Sequence, residues 1–143
     1  MAKRTSIHKY FMDIANLVST RGTCDRKQVG CILVKDKRVI ATGYNGSITG
    51  AEHCDDVGHL MDNDHCVRTV HGEINAIAQC AKYGISCEGA TAYCNTLPCW
   101  NCFKALANAG VIHIYYKDSY NAELKGNVFK FSKELEIPVV KVT

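Results

Sequence analysis

The chain has 143 residues, 47% of them hydrophobic, and a formal net charge of +3. That length suits one compact core and leaves little room for a second domain. The modest charge and 8% aromatic content argue against a dedicated nucleic-acid binder, which needs a basic, aromatic-lined stripe. No apolar run approaches the roughly 18 residues of a membrane span, and the polar start Met1-Ala2-Lys3-Arg4 leads into an amphipathic segment, so an unexported, cytoplasmic chain without a membrane partner is expected.

From Ser6 to Thr20, the residues Ile7, Tyr10, Phe11, Ile14, Leu17 and Val18 recur at helical spacing behind a capping serine. Val29–Val34 and Arg38–Tyr44 are runs rich in β-branched residues joined by the polar turn Lys35-Asp36-Lys37, the pattern of an antiparallel hairpin. Between Asn45 and Val70 periodicity fades among glycines, acids, histidines and cysteines. So long an irregular segment in a compact domain needs something other than a core to hold it. Gly72–Tyr83 reads as a helix ended by Gly84, Ala90–Thr96 as a strand, Cys99–Ala109 as a helix closed by Gly110, and Val111–Tyr116 as a strand. A last helix over Ala122–Leu135 and a short strand over Pro138–Val142 complete five strands and four helices. That succession predicts a three-layer α/β/α sandwich around a five-stranded mixed sheet, in a single domain over residues 1–143 with an insert at about 46–70.

Nine cysteines would suggest disulfides in a secreted chain. In a reducing compartment they divide differently: Cys31, Cys80 and Cys94 have apolar neighbours and read as small buried hydrophobes, while others read as metal ligands. His71-Gly72-Glu73 opens one predicted helix and Pro98-Cys99-Trp100-Asn101-Cys102 opens another. Either half alone is weak. Together they are specific, because cysteines three apart in a first helical turn share a face, and the positive end of the helix favours the thiolate that binds metal. His71, Cys99 and Cys102 make three ligands of a tetrahedral zinc with one position left for water. Glu73 lies within reach of that water and is the candidate general acid/base. His-x-Glu paired with Pro-Cys-x-x-Cys is the known signature of zinc nucleobase deaminases, in which a zinc-activated hydroxide attacks C4 of cytosine and the glutamate shuttles protons to the departing ammonia.

With these motifs, Thr23-Cys24-Asp25-Arg26 before Val29-Gly30, Gly43-Tyr44-Asn45-Gly46, and His65-Cys66-Val67-Arg68-Thr69-Val70 make nearly the whole chain resemble the deoxycytidylate deaminases of bacteria and their phages. The resemblance implies a cytidine deaminase-like fold and hydrolysis of dCMP to dUMP and ammonia, feeding thymidylate synthesis. A phage source would place that reaction in the host cytoplasm. It further implies that Asn45 bonds the deoxyribose hydroxyl and Arg26 the 5′-phosphate. Asn-Gly is also a common turn, and an exposed arginine is usually solvated. Gly72 stands where the family usually has alanine, and only its backbone is expected against the base. Tyr120, an aromatic after a predicted strand, is a candidate cover for the base.

Cys24, Cys54, His59, His65 and Cys66 remain, mostly in the segment that lacked a packing account. A second, structural zinc on Cys24, Cys54, His59 and Cys66, with His65 as substitute, would supply one. The resemblance implies such a site. The resemblance also implies a homo-hexamer activated by dCTP and inhibited by dTTP, with Mg²⁺. Gly43-Tyr44-Asn45-Gly46 is similar to the segment near the family's effector site, although a tight turn is the commoner meaning of such a tetrapeptide. The alternatives are deaminases of a free nucleoside, of a riboflavin precursor, of tRNA adenosine or of single-stranded DNA, and a non-catalytic zinc-stabilised binding module. Glu73 beside an open zinc position weighs against the last.

Overall fold

Ser6 accepts a hydrogen bond from the Lys9 N–H at 3.2 Å and so starts helix α1 (Ile7–Ser19), one residue shorter at each end than the periodicity predicts. The computed structural model describes residues 2–119 and 124–143. Strands β1 (Gly30–Lys35) and β2 (Arg38–Tyr44) form the predicted antiparallel hairpin, its turn made by Asp36 and Lys37 with φ of 52° and 59°. That pair of left-handed residues matches the strand twist. β1 then pairs antiparallel with β7 (Thr91–Thr96), which pairs parallel with β8 (His113–Asp118), and β8 with β9 (Val139–Lys141). The sheet order is β2-β1-β7-β8-β9, a mixed five-stranded sheet as expected.

β1 is nearly continuously apolar because helices cover both its faces. Ile32 and Val34 point toward α1, where they meet Phe11, Met12, Ala15 and Tyr93; Cys31 and Leu33 point the other way, into the larger core. That second face carries α3 (Gly72–Tyr83), α4 (Trp100–Asn108) and α5 (Lys125–Leu135), contributing Ala76, Cys80, Phe103, Leu106 and Val128. The three layers are therefore one helix, the sheet and three helices. Cys31, Cys80 and Cys94 are buried in this core as predicted, with the Cys31 and Cys94 sulfurs 3.4 Å apart across β1 and β7.

Two glycines let helices approach the sheet. A Cβ on Gly30 would meet backbone of Ala15 and Ser19 in α1 at 2.2 and 2.5 Å, and one on Gly43 would meet Gly72 O and Ala76 N in α3 at 2.1 and 2.4 Å. α3 ends as predicted at Gly84, which takes the left-handed conformation (φ 69°). Residues 46–70 hold only short pieces: β3 (Gly46–Ser47) paired with β6 (Thr69–Val70), a one-turn helix α2 (Cys54–Val57), and a hairpin of β4 (Met61–Asp62) and β5 (His65–Cys66).

Candidate active site

His71 and Cys99 occupy the N-cap positions of α3 and α4, two helices packed against each other on one face of the sheet. The close approach at Gly43 fixes the first turn of α3, and the end of β7 delivers Leu97-Pro98 and then Cys99. Cys102, one turn into α4, is buried, as is Glu73 in the first turn of α3. His71 Nδ1 lies 3.2 Å from Cys102 Sγ and 3.7 Å from Cys99 Sγ. Ligands about 2.0–2.3 Å from a tetrahedral ion are separated by about 3.5–3.8 Å. One imidazole and two thiols converge at close to that spacing, so the donor set fits zinc, with His71 offering Nδ1.

The electrostatics suit this arrangement. Hydrogen bonding from Cys102, and then from His71, holds the Cys99 thiol down at about 3 against burial that opposes it. Cys102 is pushed up, first by its contact with Cys99 and then by burial. One thiolate thus forms readily, and the second needs a metal to displace its proton. The bond to Cys99 raises His71. Burial raises Glu73 above the ordinary carboxylate range, so this carboxyl can hold a proton as well as release one.

An open cleft of about 1250 Å³ leads to this point, lined among others by Arg26, Lys27, Asn45, Asn95, Asn101, His71 and Cys99. Asn45 is 2% exposed: its Oδ1 accepts from the Gly72 N–H at 2.9 Å and its Nδ2 donates to Lys27 O at 3.1 Å. It ties the start of α3 to the 24–28 segment and keeps one amide proton for a ligand. The Gly72 N–H is thereby committed to Asn45. The Arg26 guanidinium contacts Met61 Sδ at 3.4 Å and donates to Asp64 O at 3.2 Å, on the β4–β5 hairpin. Tyr120 lies outside the described residues.

Sequence reasoning did not single out Asn95, whose Oδ1 accepts from the Gly30 N–H at 2.9 Å and whose Nδ2 donates to Gln28 O at 3.1 Å, clipping the cleft wall to β7. An asparagine near a strand end belongs to no motif, and only the register of β1 on β7 puts it there. Lys27, in no motif, and Asn101, a variable position within Pro-Cys-x-x-Cys, also line the cleft without having been singled out.

The left-over ligands also converge. Cys24, Cys54, His59 and Cys66 offer ligand atoms all within 4.8 Å of one another, whereas the exposed His65 is not among them. Cys24 Sγ is 3.5 Å from His59 Nδ1, and the Cys54 and Cys66 sulfurs are 3.5 Å apart. Asp25 lies 3.2 Å from His59 Nε2, where its carboxylate fixes the ring with Nδ1 toward the sulfurs. Burial pushes Cys54 up to about 12, while backbone hydrogen bonding at Arg68 is the main cause holding Cys66 near 6. The four donors fit a closed tetrahedral zinc.

Residues 5–118 match the cytidine and deoxycytidylate deaminase zinc-binding region. The chain belongs to this family. It is 48% identical over 118 residues to ComE operon protein 2 of Bacillus subtilis (strain 168), matching 82% of this chain and 62% of that protein. It is 36% identical over 129 residues to the deoxycytidylate deaminase of Schizosaccharomyces pombe, matching 84% of this chain and 39% of that one. The chain thus spans less than two thirds of the length of either relative. Among solved structures, the dCMP deaminase of cyanophage S-TIM5 in complex with dCMP and dUMP superposes with a TM-score of 0.83 at 30% identity, covering 99% of this chain and 100% of that one. The cytidine deaminase-like α/β fold and the zinc-binding character of the family agree with the layers and donor sets described above.

Proposed function

We propose that this chain hydrolyses deoxycytidine monophosphate to deoxyuridine monophosphate and ammonia. The observation that carries the reading is the meeting of His71, Cys99 and Cys102 beside buried Glu73 at the end of a cleft that also holds cationic side chains. The similarity to a cyanophage dCMP deaminase solved with dCMP and dUMP supports the choice of base and phosphate. Zinc held by the three residues would act as a Lewis acid that makes water nucleophilic near neutral pH. Glu73 accepts the proton from the attacking water and passes it to N3 as oxygen adds at C4, then takes the proton of the new C4 hydroxyl and delivers it to the exocyclic nitrogen as the C4 carbonyl forms. The C4–N4 bond then breaks and ammonia leaves. The raised proton affinity of Glu73 suits both halves of this shuttle. Asn45 offers its remaining amide proton to the deoxyribose hydroxyl, Arg26 stands at the phosphate end, and the base lies against the Gly72 turn, with Tyr120 its proposed cover.

Residues 1–143 act in this reading as one domain, whose 46–70 insert is held by a second zinc on Cys24, Cys54, His59 and Cys66. The working form is a cytoplasmic homo-hexamer, switched on by dCTP and off by dTTP with Mg²⁺, a part of the reading that family resemblance supports.

The test is ammonia release from deoxycytidine, its monophosphate and its triphosphate by zinc-loaded protein, with dCTP and Mg²⁺ present as activator. We expect the monophosphate to be preferred, and Glu73→Gln to lower kcat by about 10²- to 10⁴-fold with zinc content unchanged. Absence of turnover on all three by zinc-loaded wild type would sink the reading.

A further inference from the structure

An anionic substrate entering the cleft meets acids at Asp25, Asp62 and Asp64, so its charge must be matched by cations. Among the lining residues Arg26 and Lys27 are the two that are permanently positive. They are not equivalent. Arg26 has its guanidinium on Met61 Sδ and Asp64 O, at the β4–β5 hairpin that lines the cleft. The Lys27 ammonium makes no ion pair among the described residues, and its backbone is anchored at the reacting centre: Asn45 bonds Lys27 O with one end and the Gly72 N–H, next to His71, with the other.

We propose that Lys27 is a specificity-determining residue that reads the phosphate of a nucleoside monophosphate from the inner side of the cleft, while Arg26 closes the outer side from the hairpin. The inference rests on the deamination reading and sharpens it. A lysine is a point charge with three donors on a flexible stem, able to follow a phosphate oxygen, whereas the arginine is already engaged through its planar fork. Asn45 transmits the position of α3 to Lys27, so the distance from the zinc ligands to the ammonium anchor is set by two hydrogen bonds.

The experiment compares wild type, Lys27→Gln and Lys27→Arg as zinc-loaded protein. Two quantities are read: the ratio of kcat/KM on the monophosphate to that on the nucleoside, and calorimetric binding of dUMP against deoxyuridine. A charge-assisted contact to phosphate predicts that Lys27→Gln lowers both ratios by about ten- to a hundredfold and that Lys27→Arg restores most of the loss. Ratios unchanged in Lys27→Gln, or nucleoside and monophosphate weakened alike, would overturn the assignment. Lys27 is exposed, so its replacement leaves the core intact; Lys27→Met provides an independent loss of charge with the stem retained. If wild type itself turns over neither substrate, the deamination reading fails. If wild type prefers the monophosphate and Lys27→Gln keeps that preference at the same ratio, only the present inference fails.

Discussion

Gly43 and Gly72 face each other where β2 touches the first turn of α3, and the room at the two positions differs. A methyl on Gly43 would sit 2.1 Å from Gly72 O, against backbone that cannot rotate away. A methyl on Gly72 would meet Val29 O at 3.0 Å and Gly43 O at 3.1 Å, tight but open to relief by a few tenths of an ångström. Gly43→Ala is therefore expected to cost about 1–3 kcal/mol or more through overpacking and to loosen zinc at His71 by moving the helix. Gly72→Ala, at the first residue of α3, recovers part of the roughly 0.8–1 kcal/mol that separates Gly from Ala in a helix interior, offsetting the squeeze to a net change within about 1 kcal/mol. Urea unfolding with metal analysis of both variants checks the pair; equal destabilisation by the two would contradict the geometry. The Gly72 position was readable as a departure from the family pattern. The need for glycine at 43 was not, because it arises from a helix 29 residues further along the chain.

At the scale of elements, the insert over residues 46–70 has a four-residue helix, two pairs of two-residue strands and few buried apolar side chains, which is why we propose that the Cys24, Cys54, His59 and Cys66 cluster holds it. Without a metal, burial keeps the Cys54 proton on up to about 12, while Cys66, near 6, is largely ionised at neutral pH. Zinc uptake between pH 7 and 8 must therefore expel at least the Cys54 proton. The sign follows: acid competes with the metal, so affinity falls by about tenfold or more for each unit of pH lowered. Purified protein should contain two zinc ions per chain. Chelation should open the insert to proteolysis before the sheet and helices are cut. One zinc per chain in fully active protein, or an insert equally resistant after chelation, would remove the second site. The spacing of regular elements was legible because apolar residues recur with their periods; their ends moved by one to three residues, since capping bonds such as Lys9 N–H to Ser6 Oγ, not periodicity, set them, and the predicted start of the last helix at Ala122 lies outside the described residues. The short β3–β6 and β4–β5 pairings were not legible: two-residue strands carry no alternation.

For the whole molecule, the described surface leaves Leu17 70%, Ile48 69% and Tyr83 65% exposed. Scattered apolar residues of this kind are ordinary on a monomer and equally available to an assembly. The proposed hexamer is checked by equilibrium sedimentation of zinc-loaded protein at micromolar concentration. Six chain masses, about 95 kDa from 15.8 kDa each, is the expected result. A monomer under these conditions would count against both the assembly and its control by dCTP and dTTP.

The amino-acid sequence by itself determined the order of the main helices and strands, the sandwich they build, the pairing of His-x-Glu with Pro-Cys-x-x-Cys, and a pool of five left-over candidate metal donors, Cys24, Cys54, His59, His65 and Cys66. Each of these is written in local spacing: a period of 3.6 or 2, ligands three apart in one helical turn, or soft donors concentrated where apolar residues are scarce. Tertiary structure decided the rest. It excluded His65 from the four-donor cluster and turned Arg26 toward the hairpin. It placed Asn95 in the cleft wall and made Asn45 the link between Lys27 and the start of α3. These depend on strand register and on which backbone atoms approach within hydrogen-bond distance across long stretches of chain, and no local pattern of residues encodes that.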